Sequence, residues 1–316
     1  MIKGVLFGGL PFFFNRLPQY HQWKESREFA GVLSMPWQRK FREKVFYNRD
    51  HVAFPDWTPS TASVGSENRL AVVIHAFYPD ILLELLHRLE ASRYPTVKLF
   101  ITCPTDSRTI VEQMLQAFPF ENTVLSVENR GRDILPFLKI LPIVVEEKFS
   151  LVLKLHTKRS NYLNRKELWK DELFQKLLGV EQISNSISVL QAFPNIGILG
   201  PESHVVPMSV YYGANAAGVK RLSRQLGLKD EQLKQLNFVA GSMFYARTVA
   251  LLPLLKLSLQ EADFEEENGQ FDGTLAHVVE RTFSCSALAA GMLLADTSST
   301  PSRPCCIVSM DHFFTR

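Results

Sequence analysis

Several absences bound what this chain of 316 residues can do. It has only four cysteines, two of them adjacent (Cys305 and Cys306), which make no disulfide framework. No Cys-x-x-Cys pair occurs, so a zinc site of that kind has no ligands, and a reducing cytoplasm is the expected compartment. No uninterrupted apolar segment reaches the length of about 20 residues needed to cross a bilayer. The opening run from Gly4 to Phe14 is apolar but short and broken by glycine and proline. It lacks a cationic lead and a small-residue cleavage site, and is not read as a signal peptide. Net charge is only +3, too little to suggest nucleic acid as a partner. No Gly-x4-Gly-Lys-Ser/Thr loop is present, which argues against a P-loop kinase. Repeats and low-complexity tracts are missing as well.

What is present is enough for a sizeable core, with 46% hydrophobic residues against 21% charged. Residues 1–64 stand apart as a basic, aromatic arm and linker. Nine basic residues face five acidic ones in residues 1–60, so this segment alone exceeds the excess charge of the whole chain. The stretch Trp37 to Tyr47 mixes bulky apolar and basic side chains that suit an anionic membrane surface. Because its hydrophobic face is ragged, an arm packed on the main domain is the favoured alternative. Thr58 to Asn68 is a polar linker.

From Leu70 strands and helices alternate. Leu70–Phe77, Val97–Thr102, Thr123–Val127 and Leu151–Leu155 are near-continuous apolar strands. Between them, Ile81, Leu82, Leu85, Leu86 and Leu89 recur at helical spacing, as do Ile110, Met114, Leu115 and Phe118. A further helix is expected from Ile134 to Glu147. The pattern predicts an α/β fold with a mostly parallel sheet covered by helices on both faces. In the less regular second half, helices are expected over Trp169–Leu178, Ile183–Phe193 and Leu222–Leu236. Strands are expected over Ile196–Pro201 and Phe238–Arg247, and an acidic loop from Asp263 leads into a helix ending near Arg281. A main domain over 65–296 divides into a nucleotide half, about 65–160, and an acceptor half, about 161–296; residues 297–316 form a tail.

Two strand ends draw the candidate residues together. Asn129-Arg130-Gly131-Arg132-Asp133 follows the third strand and His156-Thr157-Lys158-Arg159-Ser160 the fourth. In α/β sheets the carboxyl ends of the strands are where ligands bind. Gly131 supplies a sharp bend, and two arginines around it can grip phosphate oxygens in a forked geometry. Asp133, at the start of a helix, is equally suited to capping it. Lys158 and Arg159 would lower the pKa of His156 by like-charge repulsion, leaving an imidazole able to donate to a sugar or phosphate oxygen; a solvated basic loop is the plainer alternative. Asp106, after the second strand, suits either a ribose hydroxyl or a helix cap. The acidic run Glu265-Glu266-Glu267 and Asp272 offer a carboxylate to face the basic pocket, the requirement for a general base, although such runs are usually solvated loops. His277 follows Asp272 by five residues and need not share its face, whereas Asp272, Ala276 and Glu280 fall at i, i+4 and i+8.

Five segments, Asn129–Leu138, Leu153–Ser160, Ile196–Pro201, Ala240–Arg247 and Asp272–Arg281, occur in the order seen in the rhamnan synthesis protein F family, which residues 65–295 resemble. The resemblance implies a rhamnosyltransferase in bacterial rhamnose polysaccharide or O-antigen assembly. The donor would be dTDP-L-rhamnose or another nucleotide sugar, and the acceptor a lipid-linked glycan at the inner face of the cytoplasmic membrane. The layout is also similar to GT-A glycosyltransferases, which carry an Asp-x-Asp metal motif after the fourth strand. Here His156-Thr157-Lys158 stands in its place, so no metal ligand is assigned; fixed cations, Lys158 with Arg130 or Arg132, would neutralise the leaving diphosphate. On this reading Asp106 contacts the nucleoside. Asn129, Arg130, Arg132, Asp133, His156, Lys158 and His277 hold the donor, and Asp272, with Glu267 second, is the base. The rival expectation is a non-catalytic glycan-binding or polysaccharide-assembly protein that keeps the sheet without the chemistry.

Overall fold

The computed structural model describes residues 69–157, 166–234 and 236–302. The N-terminal arm with its expected membrane contact, Lys158 and most of the tail lie outside them. The chain runs β1 (Leu70–His75), α1 (Pro79–Ser92), β2 (Val97–Pro104), α2 (Arg108–Leu115), β3 (Glu121–Val127), α3 (Ile134–Glu146) and β4 (Leu151–His156). It continues through α4 (Lys166–Leu178), α5 (Gln182–Ala192), β5 (Ile196–Gly200), β6 (Val205–Pro207), α6 (Ala216–Gln225), α7 (Asp230–Lys234) and β7 (Asn237–Val239). Last come β8 (Phe244–Arg247), α8 (Thr248–Leu255), α9 (Leu275–Ala289) and β9 (Leu293–Asp296).

One sheet, ordered β3-β2-β1-β4-β8-β5-β9, forms the centre. Strands β1 to β4 pair in parallel, as does β5 with β9, whereas β8 is antiparallel to both β4 and β5. Strands β6 and β7 make a separate antiparallel ribbon. The expected mostly parallel, helix-flanked α/β sheet is thus what the chain builds.

Alternation along the strands splits the core in two. Val72, Ile74, Leu153 and Leu155 face α1, α2, α4 and α5, while Val73, Phe100, Val152 and Phe244 face α3, α8 and α9. Helix α1 shows why these residues fold as they do. Pro79 sits in its first turn, where a missing N–H costs nothing, and Ile81, Leu82, Leu85, Leu86 and Leu89 are all buried on one stripe. Each such side chain stabilises the fold by roughly 1.5–3 kcal/mol.

The structure corrects three local expectations. Helix α2 buries Val111 and Leu115, and Ile110 of the expected stripe is exposed. The single helix expected over Leu222–Leu236 is broken, because Gly227 (φ 83°) ends α6 in a left-handed turn. The single strand expected over Phe238–Arg247 is two strands, β7 and β8. Between them Gly241 (φ 89°) and Ser242 (φ 50°) turn the chain, so that β8 enters the main sheet at the carboxyl end of β4.

Candidate active site

A cavity of about 290 Å³ opens at the carboxyl ends of β1 and β4 and is closed by α9 and the acidic loop before it. Its floor follows from strand register. Val73 pairs with Lys154 and His75 with His156 across adjacent parallel strands, and Thr102 of β2 lies beside His75. All point to the face covered by α3 and α9. Thr102 Oγ1 is 3.0 Å from His75 Nδ1. Burial pulls the His75 pKa down to about 4, Asp133 offsetting this in part and Lys154 adding to it, so the ring is neutral at physiological pH. Thr157 ties the strand ends together: its N–H donates to His75 O at 2.9 Å, and its Oγ1 accepts from Tyr78 N at 2.8 Å.

Above this floor the Asn129–Asp133 turn is held by shape. Gly131 (φ 65°) and Arg132 (φ 55°) are both left-handed, a conformation that costs non-glycine residues and clusters at functional sites. A Cβ on Gly131 would meet Leu135 Cβ at 2.6 Å and Phe264 Cδ1 at 2.7 Å, so glycine is required on two counts. Asp133 occupies the N-cap position of α3 but makes no side-chain cap bond. Its Oδ2 instead takes Lys154 Nζ at 2.5 Å and the Ser242 hydroxyl, and His156 Nδ1 lies 3.3 Å from it. Burial by itself would raise the Asp133 pKa. Electrostatic attraction to His156 and Lys154, with hydrogen bonds from Lys154 and Ser242, outweighs that and holds it far below the usual carboxylate range. Lys154, 1% exposed, also contacts Ser242 O at 2.9 Å and lies over the Phe137 and Phe283 rings.

The two arginines of the turn meet the acidic loop. Arg132 lines the cavity, its N–H donating to Glu267 Oε1 at 3.1 Å, its Nε 3.7 Å from Glu267 Oε2, and its guanidinium bonded to Gln270 O. Arg130 points away from the cavity, toward Glu261 O at 3.4 Å and Glu266 Oε1 at 3.5 Å. Of the other sequence candidates, Asn129, Asp133, His156, Glu267 and His277 line the cavity. His277 belongs to a capping box with Thr274, whose Oγ1 is 2.8 Å from His277 Nδ1. Asp106 and Asp272 do not line it. Asp106 is exposed in a 3-10 turn and accepts from Ser107 Oγ at 3.2 Å. Asp272 precedes α9 and accepts Ala214 N–H at 3.0 Å and Asn215 Nδ2 at 2.6 Å, so both of its oxygens brace the Gly213–Asn215 turn. Sequence reasoning gave no role to Lys154, Ser242 or Glu280, all now at the site. The signal for Lys154 was a charge inside an apolar strand, which demands a buried partner. Glu280 lines the cavity and accepts Gly241 N–H at 2.7 Å.

Every residue lining the cavity falls within residues 54–292, the span matched by the family model for rhamnan synthesis protein F. The chain belongs to the rhamnan synthesis protein F family. Two relatives of this family member, both described as uncharacterized protein WxcX, come from two strains of Xanthomonas campestris pv. campestris. Each is 35% identical over 244 residues, which is 77% of this chain and 34% of the relative. The chain therefore spans about a third of the length of these curated relatives. Among solved structures, glucosyl-3-phosphoglycerate synthase of Mycobacterium tuberculosis, in complex with Mn2+, uridine diphosphate and glucosyl-3-phosphoglycerate, overlaps 64% of each chain. Its identity is 16% and its TM-score 0.28. 4-Diphosphocytidyl-2C-methyl-D-erythritol synthase of Anaerococcus prevotii overlaps 44% of this chain and 55% of its own, at 12% identity and TM-score 0.27. Overlaps this loose leave the function to be argued from the site.

Among the described residues, the carboxylates near the end of β4 are already engaged. Asp133 Oδ2 is already taken by an ammonium and a hydroxyl, and Glu267 Oε1 by a backbone N–H. A divalent cation needs several hard oxygen donors free to converge. Among the described residues no group of three or more His, Cys, Asp or Glu is arranged to hold one, and no helix is long and apolar enough to cross a membrane.

Proposed function

We propose that the domain is a glycosyltransferase of polysaccharide assembly, moving a sugar from a nucleoside-diphosphate donor, dTDP-L-rhamnose on the family reading, to a hydroxyl of a growing, lipid-linked glycan at the cytoplasmic membrane. The observation that carries this is the gathering of opposite chemistries around one cavity at the sheet's carboxyl edge: Arg132, His156 and His277 line it together with the carboxylates of Glu267 and Glu280. Cations and ring N–H groups there stabilise the departing diphosphate, where charge develops in the transition state. Glu267 is the general base, ahead of Asp272, because Glu267 lies on the cavity wall and Asp272 does not. Its link to Arg132 gives the base a trigger. Donor phosphates compete for the guanidinium, and an Arg132 side chain drawn to them frees Glu267 Oε2 for the acceptor hydroxyl while Oε1 stays on the Arg132 backbone N–H. Fixed cations do the work of a metal, with Lys158, which follows β4 in the sequence, as a further member of that set; Arg130, turned to Glu261 and Glu266, is not one.

Calorimetric titration of the purified chain with dTDP and UDP, in Mg2+ and in EDTA, tests the reading. Binding that EDTA leaves unchanged is the expected result. Glu267→Gln is expected to keep that binding while lowering turnover of the nucleotide sugar by about 100-fold or more, the usual contribution of a general base. A chain that binds glycan but no nucleoside diphosphate in either condition is a non-catalytic assembly protein, and the proposal fails.

A further inference from the structure

We propose that Asp133 and Lys154 are positioning residues: they lock His156 with Nδ1 turned into the protein and present the opposite edge of its ring to the donor phosphates. The proposal rests on the nucleotide-sugar reading of the cavity and adds a role for a buried pair that does not itself touch the ligand. His156 is 5% exposed, and its Nδ1 stands 3.3 Å from Asp133 Oδ2. Nδ1 is buried beside the Asp133 carboxylate, though off the alignment of a hydrogen bond; the negative charge at that distance favours an N–H over a bare lone pair on this nitrogen whether the ring is charged or neutral. Which nitrogen of a histidine is protonated is set by what the other nitrogen faces. Here that choice is made by Asp133.

Asp133 is in turn not free to swing away. Lys154 Nζ is 2.5 Å from the same oxygen, 2.9 Å from Ser242 O and 3.2 Å from Ser242 Oγ, so the ammonium is clamped between two turns. Both turns are left-handed, at Gly131-Arg132 and at Gly241-Ser242. The other titratable groups around His156 are His75 on β1, Arg132 on the turn, Glu267 on the acidic loop, and His277 and Glu280 on α9. Asp133 stands at ion-pair distance from the ring's Nδ1.

Nitrogen-15 NMR of the histidine rings in the full, ligand-free chain tests the lock directly. The chain has eight histidines, and His156→Gln identifies the signals that matter. The expected result is a protonated Nδ1 on His156 at every pH from 6 to 9. In Asp133→Asn the population should move toward the Nε2-protonated tautomer, and dTDP affinity should fall on the order of tenfold, the scale at which orienting partners act. Asp133→Glu should restore part of both. An unprotonated Nδ1 in the wild-type chain overturns the proposal even if no variant folds, and so does an Asn variant whose tautomer is unchanged. A locked tautomer in a chain that ignores dTDP overturns the donor reading instead, and the two failures are told apart by the ligand-free spectrum.

Discussion

Lys154 is the residue on which most depends. Replacing it with methionine fits the volume but strands Asp133 beside His156 without its nearest counter-ion. Breaking a buried pair from one side costs about 3–5 kcal/mol, so Lys154→Met should lower the urea midpoint sharply, and Lys154→Met with Asp133→Asn should recover part of the loss. Equal loss in the single and double variants would show that the pair itself is not what Lys154 supports. Two other buried groups set how stability varies with pH, and their signs oppose. His75 titrates at 6.5 unfolded and about 4 folded, so the unfolded chain binds more protons in between, and stability falls as pH drops through that window. Asp296 is fully buried, and burial raises its pKa from 3.8 to about 6, so the folded chain binds more protons and stability falls as pH rises. Each effect is worth about 3 kcal/mol, and the wild-type curve should be nearly flat from pH 4 to 6. His75→Gln should then lose stability as pH rises across that window, and Asp296→Asn should lose it as pH falls. Urea denaturation at pH 4, 5 and 6 reads both slopes; parallel curves for the two variants would refute the assignment. At this scale the sequence disclosed the chemistry but not its wiring. Arg132, His156 and Glu267 are recognisable from their place at strand ends, whereas the partnership of Asp133 with Lys154 spans 21 residues and with Ser242 spans 109, which no local pattern encodes.

Among the elements, the acidic loop and the start of α9 divide two roles that looked alike in the sequence. Asp272 and Glu267 are both carboxylates before a helix, but Asp272 holds the backbone of Ala214 and the amide of Asn215, while Glu267 faces the cavity. Asp272→Asn should therefore lower the melting temperature, by an amount matching one or two lost hydrogen bonds of about 1–3 kcal/mol each, and leave turnover per folded molecule close to wild type. Turnover lost at full stability would return the base to Asp272. Element boundaries were legible wherever hydrophobic period alone decides them, as in α1, α3, β1 and β4. They were missed where a left-handed residue cuts an apolar run. Phe238–Arg247 reads as one strand because Gly241 and Ser242 interrupt the backbone, not the hydrophobicity.

For the whole molecule, strand-helix alternation was enough to predict the helix-flanked sheet, since four near-continuous apolar strands have few other ways to be buried on both faces. The antiparallel β8 was not legible, because strand direction is set by the return path of the chain rather than by composition. That reversal has a consequence for synthesis. The cavity joins β1 near residue 75 to α9 near residue 280, and its walls meet through contacts such as Arg132 with Glu267, 135 residues apart. Such contacts are the slow, late steps of folding. A nascent chain long enough to make β1 to β4 has the Asn129–Asp133 turn but neither Ser242 to anchor it nor Glu267 to meet Arg132. The cavity is complete only after α9 has left the ribosome, so the domain gains its ligand pocket in one late event rather than by accretion.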